Sequence, residues 1–563
     1  MNWFGDFAQP LLQTLRIIGG LGVFLYGMQT MSEGIRRRAG NQLQRRVETL
    51  TSRPLLGILI GIGVTALVQS SSATTVILVS MVNAGLVSLR QSIAVIMGAN
   101  IGTTFTAWIV SLFGFNFNIA TFALPAIALS LPLHFSKRER QNDFSMILLG
   151  FGLLFLGIEQ MKIGVSIVEA NTDVLTVLQA VAGLGILGHL LFVLIGAALT
   201  FAVQSSSVAM TVTLTLVYNG WIPFPLAASL VLGENIGTTI TAYLASIEMS
   251  TQAKRAARAH MIFNLFGVCW MLILLNPMLR VVDLLIPGSP STSLGITFHL
   301  SGFHTFFNLT NTLLMAWFIP QIERVVTRLV PESAPETRSS GIPWIRGNVP
   351  ESTEANLINA QGAVRNLSAQ VRSMADHVMN SLDPIEIDEE EMATMIRSEE
   401  ETVDLMEEQI LAHLSECALQ VLNEEQAQWV GAQLRIIGEF ERIADGLLKI
   451  HGLGVKSRKK KTNLHRDAME EMLEISYLVR DFLQYVGTLL EQPVDERDLA
   501  IARSMEEEIN TFRNNLYKTS RKSIKSGGNL KGELLFMEIV RCFENVGDSC
   551  IAIAEELSRI HPE

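Results

Sequence analysis

The sequence predicts an all-α protein in which a membrane-embedded half is followed by an acidic, soluble helical half. The first observation is the uneven distribution of charge along the 563 residues. Residues 1–330 hold 18 Lys and Arg and 12 Asp and Glu, whereas residues 331–563 hold 25 and 42, a net charge of −17. The second observation is a mean hydropathy of +0.33, and the third is a series of uncharged segments of membrane-spanning length.

The composition also excludes several classes of protein. An acidic second half disfavours a nucleic-acid partner, because phosphate backbones require a basic face. The four cysteines are too few for a disulfide framework and form no CxxC pair, so neither thiol redox chemistry nor a zinc knuckle is indicated. The sequence has no glycine-rich nucleotide loop and no HExxH motif, and nothing favours an enzyme. The N-terminus lacks the pattern of a cleavable signal, which favours an inner-membrane protein with a cytoplasmic C-terminal domain.

Apolar segments of about 20 residues predict seven membrane crossings near 11–31, 91–113, 117–135, 144–165, 222–247, 259–280 and 296–320. Two further segments are too long for one crossing: Pro54 to Leu89 and Val174 to Gly233 carry no charged residue. A straight helix over the first would be about 54 Å long, against a hydrocarbon core of about 30 Å. The polar sequence Gln69–Ser72 at its centre therefore favours a helical hairpin over the alternative, one crossing helix with a polar notch.

An internal repeat organises the membrane half. Residues 61–111 align with 196–246 at a constant offset of 135, with 18 of 51 positions identical. The identities concentrate in a QSSS block (69–72 and 204–207) and a NIGTT block (100–104 and 235–239), each NIGTT followed by Thr and Ala. A weaker match at an offset of 130 relates Gly22, Gly27 and Met31 to Gly152, Gly157 and Met161. The repeat unit is therefore about 130 residues long.

Charge placement predicts that the two copies are inverted. Six arginines lie in 36–53, before the first QSSS block, whereas no Lys or Arg lies between 163 and 253. The positive-inside rule then makes 36–53 cytoplasmic and 166–185 external. With seven crossings and two hairpins, the N-terminus is outside and the C-terminus inside. Inverted repeats with broken hairpins are typical of secondary transporters.

The two blocks offer the chemistry of an ion and oxyanion site. Hydroxyls and an amide inside a membrane hairpin must find partners, and a broken helix exposes N–H groups that suit an oxyanion and carbonyls that suit Na⁺. The alternative is close packing of small residues with hydroxyls bonded to their own helix; duplication in register favours a ligand site. The candidate residues for binding a phosphate-like anion and an alkali cation are Gln69, Ser70, Ser71, Ser72, Asn100, Thr103, Thr104, Thr106, Gln204, Ser205, Ser206, Ser207, Asn235, Thr238, Thr239 and Thr241.

These motifs resemble the type II sodium–phosphate cotransporter family. The resemblance covers about 15–320 and rests on the QSSS pair, GANIGTT (98–104), GENIGTT (233–239) and the paired His-x-x-Phe-Asn segments at 260–264 and 304–308. It implies Na⁺-coupled movement of inorganic phosphate, with both QSSS blocks and Thr103, Thr106, Thr238 and Thr241 in contact with phosphate and sodium.

The second half is predicted to be a linker, 331–351, and a helical domain, 352–563. Glu441-x-x-x-Asp445 matches Glu544-x-x-x-Asp548 at an offset of 103, which suggests two three-helix units. This pair of motifs resembles the PhoU phosphate-regulation domain, which implies that Glu441, Asp445, Glu544 and Asp548 could bind a divalent or trivalent metal. The alternative is a solvated acidic face neutralised by Arg442.

Two side-chain environments are also predicted. Glu234 replaces Ala99 of the first copy; it could compete for Na⁺, relay a proton or face outer water, and the last reading is favoured. His260 and His304 are expected to form hydrogen bonds across helix interfaces, and a pH-sensing role is the lesser alternative.

The sequence therefore predicts a Na⁺-coupled phosphate symporter of the inner membrane with a phosphate-regulatory tail. Its predicted partners are phosphate, sodium and the lipid bilayer; phosphate-signalling proteins and a second copy of the chain could also bind, and nucleic acid is not expected. The alternatives are a membrane-anchored phosphate sensor and a carrier of another anion, such as sulfate or a dicarboxylate. The predicted domains are 1–143 and 144–330, one for each repeat, followed by the linker and the tail.

Overall fold

The fold is all-α, as the sequence predicts. The structure, a computed structural model, describes residues 3–39, 53–116, 120–136, 139–167, 184–332, 353–382, 389–420, 422–459 and 464–560, and no strand occurs among them. The chain divides into two compact units, Met1–Ala334 and Pro335–Glu563. The loops on which the predicted topology depends, 40–52 and 168–183, lie outside the described residues, as does most of the predicted linker.

The helices of the first unit are α1 (Trp3–Ala39), α2 (Pro54–Val68), α3 (Ser71–Asn83), α4 (Leu89–Ile109, continued by a π-helical segment Val110–Asn116), α5 (Ala120–His134), α6 (Glu139–Ile167), α7 (Ile186–Val203), α8 (Ser206–Tyr218), α9 (Phe224–Gly237), α10 (Thr239–Ala245), α11 (Thr251–Ile273), α12 (Leu275–Leu285), α13 (Ser293–Met315) and α14 (Ile319–Leu329). Two predicted crossings, 222–247 and 259–280, are each interrupted once, at Thr238 and Leu274.

The first unit has the character of a membrane protein. Four of its described helical segments are long and apolar enough to cross a bilayer: Leu89–Gly114, Gln141–Met161, Ile186–Val203 and Thr251–Ile273. Large apolar side chains also lie on its outside, with Leu284 and Trp317 more than four-fifths exposed. Many polar side chains are buried inside the unit instead. This is the arrangement expected when the surrounding solvent is lipid.

Glycines bring α1 and α6 into antiparallel contact. Gly20 faces Gly157 and Gly27 faces Gly150, and a Cβ at any of the four would collide with backbone of the facing helix. The offset of 130 makes Gly20 equivalent to Gly150 and Gly27 equivalent to Gly157. Gly20 thus contacts the equivalent of Gly27, and Gly27 contacts the equivalent of Gly20. This exchange is the pattern that a local two-fold axis produces.

The second unit contains α15 (Thr353–Leu382), α16 (Glu389–Ala418), α17 (Glu424–Lys459), α18 (Ala468–Leu489), α19 (Glu496–Lys525) and α20 (Leu530–Ile560). All six contribute to one continuous apolar core that includes Val371, Ile410, Phe440, Phe482 and Phe543. α15, α16 and α17 pack on one another, and so do α18, α19 and α20. α17 also packs along α20, so the two sets of three helices share one core.

Candidate functional site: two opposed hairpin tips

Each QSSS block interrupts its helix with a strained backbone conformation. α2 ends at Gln69, whose φ of 56° is left-handed, and α7 ends in the same way at Gln204, with φ of 54°. Among the described residues these are the two non-glycine positions with positive φ. Such a conformation costs about 1–3 kcal/mol and persists only where the surroundings impose it, commonly at functional sites.

The residue after each glutamine begins the next helix. Ser70 is the N-cap of α3, and its Oγ accepts a hydrogen bond from Ala73 N at 3.2 Å. Ser205 caps α8 by accepting from Val208 N at 3.4 Å. A serine at this position satisfies one of the free N–H groups of the first turn and leaves others pointing forward. The QSSS sequence thus encodes a helix end, a turn and a helix start within four residues.

The first block is the tip of a helical hairpin. Gly57 lies beside Ala94, and farther along both helices Thr65 lies beside Gly102, so α2 and α4 run in the same direction. The short connection 84–88 joins the end of α3 to the start of α4. α3 therefore runs back against both helices, and the chain reverses at the tip.

The second block repeats this construction. Gly233 lies against Val193, and farther along both helices Gly237 lies against Thr200, so α7 and α9 are also parallel and α8 returns between them. Any side chain on Gly233 would collide with the carbonyl oxygen of Val193, as one on the equivalent Gly98 would collide with that of Ile58. These glycines allow the helices to pack backbone to backbone.

The two tips meet inside the first unit. Ser71 Oγ and Ser206 Oγ are 3.4 Å apart, and Thr106 Oγ1 and Ser207 Oγ are 3.2 Å apart. Thr106 also donates to Gln69 Oε1 at 2.9 Å, and Ser207 donates to Gln69 O at 3.5 Å. Residues from four helices therefore form one buried polar cluster in an apolar unit. The sequence predicted all five of these residues as site residues, but not their contacts with one another.

The tips differ in their exposure. Gln69 is 9% exposed and its amide donates to Ala66 O, whereas Gln204 is exposed to solvent. Ser72, the equivalent of Ser207, is half-buried. The two glutamines therefore differ in burial, although they occupy equivalent positions.

The NIGTT blocks differ in a similar way. Asn100 Nδ2 donates to Asn264 Oδ1 at 3.2 Å, and His260 Nε2 lies 3.3 Å from Asn100 Oδ1. The expected hydrogen bond of His260 across a helix interface is therefore present. Asn235, in contrast, donates to Val231 O of its own helix at 2.8 Å.

Most block threonines bond to their own helix. Their hydroxyls donate to carbonyl oxygens three or four residues earlier, which is the packing alternative raised by the sequence; these are Thr103, Thr104, Thr238, Thr239 and Thr241. A hydroxyl that donates still has oxygen lone pairs that can accept a hydrogen bond or coordinate a cation. The structure brings Thr106 to the tips and does not bring its equivalent Thr241 into that cluster.

Two buried threonines were not predicted as site residues. Thr65 and Thr200 are both 1% exposed, and neither hydroxyl has a hydrogen-bond partner among the described residues. They occupy equivalent positions one turn before Gln69 and Gln204. Their identity in the two copies was the signal that could have revealed them, since the alignment preserves Thr at both.

The favoured prediction for Glu234 is wrong. Its side chain is 2% exposed and does not face outer water. Thr213 of α8 donates to Glu234 Oε1 at 2.6 Å. The prediction assumed that the end of the second hairpin opens to water, but Glu234 lies on the inner face of α9, where α8 covers it.

The acidic motifs of the second unit have different surroundings. Glu441 and Asp445 lie near Glu400, Asp404 and Glu407. Burial, and then repulsion from Asp445, Glu407 and Asp404, raise the pKa of Glu441. Burial and the Asp404 and Asp445 charges raise the pKa of Glu407 likewise.

In the second motif, Arg513 bonds to Glu544, so this carboxylate has a cation already and the predicted metal role of Glu544 and Asp548 is not supported. Arg442, expected to neutralise the first motif, bonds to Glu439 at 2.8 Å. No group of three or more His, Cys, Asp or Glu in the described part of the chain has the geometry of a metal site.

Comparison with known proteins relates the chain to a protein family. The sequence profile of the family described as Na⁺/Pi-cotransporter matches residues 23–163 and 172–284. A protein of Bacillus subtilis (strain 168) named "Uncharacterized protein YqeW" is 30% identical over 311 residues, which are 55% of this chain and 95% of that protein. No solved structure matches the chain.

Two relatives carry functional names. "Putative inorganic phosphate export protein YjbB" of Salmonella typhimurium is 28% identical over 321 residues, 57% of this chain. The match spans 56% of that protein, about half of its length. Human "Sodium-dependent phosphate transport protein 2B" is 40% identical over 108 residues, which are 19% of this chain and 16% of the human protein.

Proposed function

Because the chain belongs to the Na⁺/Pi-cotransporter family, we propose that it is a secondary transporter that couples Na⁺ to the movement of inorganic phosphate. The observation that carries this proposal is the meeting of the two hairpin tips through Ser71, Ser206, Thr106 and Ser207. The names of the Salmonella and human relatives, which refer to phosphate export and sodium-dependent phosphate transport, support the same substrate and coupling ion.

The tips supply both kinds of ligand that this function needs. α3 and α8 begin at the tips, so N–H groups and the positive ends of two helix dipoles face one place, which suits an oxyanion. α2 and α7 end there, and their last carbonyls together with Ser and Thr oxygens suit Na⁺. No Lys or Arg takes part in the cluster of tip residues, and an anion held by neutral donors can leave more readily than one held by a buried guanidinium.

We further propose that the two repeats are inverted. Ser71 and Ser206 are equivalent positions that contact each other, which supports a two-fold axis between the tips. The open end of the first hairpin contacts the chain after α10, through Asn83 Oδ1 and Ser250 N at 2.8 Å. The open end of the second contacts α13, through the rings of Phe224 and His299.

The proposed orientation puts 36–53 and the tail in the cytoplasm and 166–185 outside. Six arginines in the first loop and none in the second support it. Single cysteines in the two loops, tested with a membrane-impermeant thiol reagent on intact cells and on inverted vesicles, should react from opposite sides. Reaction of both from the same side would contradict inversion.

The tail is proposed to regulate the carrier. Its helices form their own core, and every tip residue lies in the first unit. A chain ending near Glu332 should therefore still transport phosphate, while its response to cellular phosphate status changes. If that chain inserts normally but moves no phosphate, the tail belongs to the transport cycle.

The decisive experiment is the flux of ³²P-phosphate in proteoliposomes that contain the purified full-length chain. We expect uptake that follows an imposed Na⁺ gradient and is lost when K⁺ or choline replaces Na⁺. Binding of phosphate without flux would favour the sensor function. Competition by sulfate or a dicarboxylate, with little phosphate flux, would favour a carrier of another anion.

A further inference from the structure

A basic stripe runs along one helix of the acidic tail. Residues 509–532 contain six Lys and Arg and no Asp or Glu, although residues 331–563 carry a net charge of −17. Four of these cations, Lys518, Arg521, Lys522 and Lys525, are exposed on α19. Their spacing of i, i+3, i+4 and i+7 places them on one face of the helix.

The stripe is not explained by the folding of the tail. Each of its four cations has two others three or four residues away on the same face, and like charges at this spacing destabilise a helix. The helix dipole favours Lys522 and Lys525 in the last turn, but its effect does not extend to Lys518 and Arg521. The described ion pairs of α19 and α20 use other basic residues: Arg435, Lys449, His465, Arg503, Arg513 and Arg559.

The last turn of α17 lies at the same end of the second unit as the stripe. α17 and α20 are antiparallel, because Arg435 pairs with Glu556 at 2.6 Å and Lys449 pairs with Glu538 at 3.4 Å. The end of α17, which carries the exposed Lys456, therefore lies alongside the start of α20. The start of α20 in turn follows the end of α19 after the short turn 526–529.

Two leucines protrude where α20 begins. Leu530 and Leu534 are one turn apart and are 55% and 52% exposed, and neither belongs to the apolar core of the unit. Lys531 is exposed in the first turn of α20, where the helix dipole disfavours a cation. The exposed cations of this region, here called the basic end, are Lys456, Lys518, Arg521, Lys522, Lys525 and Lys531.

We propose that the basic end of the tail docks on an anionic lipid surface. Its cations would lie at the level of the lipid phosphates, and Leu530 and Leu534 would insert among the upper parts of the acyl chains. Basic residues beside exposed aliphatic side chains are typical of surfaces that bind to the membrane interface. The same chain contains a membrane unit, so the tail is held near a bilayer. This inference goes beyond the proposed function and does not depend on which ions are transported.

The chemistry of the basic end favours lipid over other anions. Single-stranded nucleic acid stacks its bases on aromatic side chains, whereas the protruding apolar side chains here are leucines. A long nucleic acid would also meet the acidic remainder of the tail, while a flat membrane can contact the basic end alone. A free phosphate ion needs a few converging donors, whereas the stripe extends along two turns of an exposed helix face.

The first experiment measures cosedimentation of segment 335–563, a compact unit with its own core, with lipid vesicles. One set of vesicles is pure phosphatidylcholine, and the other contains equal parts of phosphatidylcholine and phosphatidylglycerol. We expect the segment to bind the anionic vesicles much more tightly, and NaCl to weaken this binding because salt screens the attraction. Equal binding to both sets of vesicles would overturn the proposal.

Paired variants test which cations are responsible. K522Q/K525Q should weaken binding to the anionic vesicles by about tenfold or more, since each lysine near such a surface contributes about fivefold. R497Q/R541Q is the matched control, because it removes the same charge from exposed positions outside the basic end. Equal losses in the two double variants would contradict a localised docking surface.

Leu530→Ser tests the insertion of the leucines. It should weaken binding to the anionic vesicles about threefold or more, because apolar area no longer enters the bilayer. Leu419→Ser is the control, since Leu419 is 89% exposed and lies outside the basic end. Equal binding of the two leucine variants would overturn the insertion.

Two competitors distinguish the possible anions. Inorganic phosphate added at constant ionic strength should not release the segment from the anionic vesicles, and release would mean that the basic end binds free phosphate. A single-stranded oligonucleotide should bind less tightly than the anionic vesicles. Tighter binding of the oligonucleotide would replace lipid with nucleic acid as the partner.

The second experiment uses the full-length chain in nanodiscs and requires no transport. Trypsin should cleave after Lys525 and Lys531, which flank the exposed turn 526–529, more slowly in discs with phosphatidylglycerol than in discs of phosphatidylcholine. Cleavage after Arg497, at the other end of α19, should be the same in both lipids. Mass spectrometry of the fragments gives the rates. Equal rates at Lys525 and Lys531 in the two lipids would overturn the proposal.

Discussion

The two hairpins of the first unit have the same backbone conformation but differ in the hydrogen-bond partners of their polar groups. In the first, Gln69 is closed in by Thr106 and Asn100 is held by His260. In the second, Gln204 is exposed and Asn235 bonds only to its own helix. The backbone is set by residues that both copies retain, whereas the hydrogen bonds differ in places where the sequence is the same. Residues that are identical in the two copies therefore have different exposure and different hydrogen-bond partners in this structure.

The largest expected effect tests whether both tips bind ligand despite their different surroundings. Gln69→Ala and Gln204→Ala should each abolish Na⁺-driven phosphate uptake in proteoliposomes, because each removes an amide that is proposed to coordinate ligand. Only Gln69→Ala should also lower the thermal stability of the detergent-solubilised protein, by about 1–3 kcal/mol, since it removes the buried hydrogen bond from Thr106 to Gln69 Oε1. Uptake at the wild-type rate in both variants would mean that the blocks only pack.

A second prediction tests the backbone that the hairpins share. Gly98→Ala and Gly233→Ala should each destabilise the protein by about 1–3 kcal/mol or more, because the added methyl group collides with a carbonyl oxygen of the facing helix. Gly63→Ala is the control, since a Cβ there contacts nothing within 4 Å. The effect is measured by thermal unfolding, with the loss of monodisperse protein on heating as the readout. Equal behaviour of all three variants would contradict the close packing.

A third prediction tests whether the hydrogen bonds of the two NIGTT blocks contribute differently to stability. Asn100→Ala breaks two buried cross-helix hydrogen bonds and should cost about 1–3 kcal/mol, as expected when buried partners are left unpaired. Asn235→Ala removes one bond within its own helix and should cost less than about 1 kcal/mol. The same thermal assay compares them. If Asn235→Ala costs as much, then the two blocks are equivalent in solution.

The smallest expected effect concerns the repeated motif of the tail. Partial burial and repulsion from neighbouring carboxylates raise the pKa of Glu441, so the native state holds its proton more tightly than the unfolded state and stability falls as pH rises through the carboxylate range. Glu441→Gln should therefore stabilise segment 335–563 at neutral pH, by no more than about 1 kcal/mol because the carboxyl group is only partly buried and solvent screens the repulsion.

Denaturant titrations of that segment between acidic and neutral pH measure this effect, and the stabilisation should shrink toward acidic pH. Glu544→Gln is the matched comparison and should destabilise, since Glu544 bonds to Arg513. Stabilisation in both variants would show that the two motifs have the same surroundings.

Much of the fold was predictable because its signals are local. The charge division, the apolar segments, the QSSS interruptions and the acidic tail are all read from short windows or from one internal alignment. The sharing of one core by the two halves of the tail was not predicted, because it depends on contacts between helices that are about a hundred residues apart.

The sequence by itself determined which residues are polar inside the membrane unit, and at which repeated positions. It could not determine that Ser71 lies against Ser206, that Asn100 and Asn235 have different partners, or that Glu234 is buried beneath Thr213. Side-chain chemistry and helix interruptions are properties of a few neighbouring residues, so the sequence carries them directly. Burial and hydrogen-bond partners depend on how distant helices pack, and identical motifs can therefore meet different surroundings within one fold.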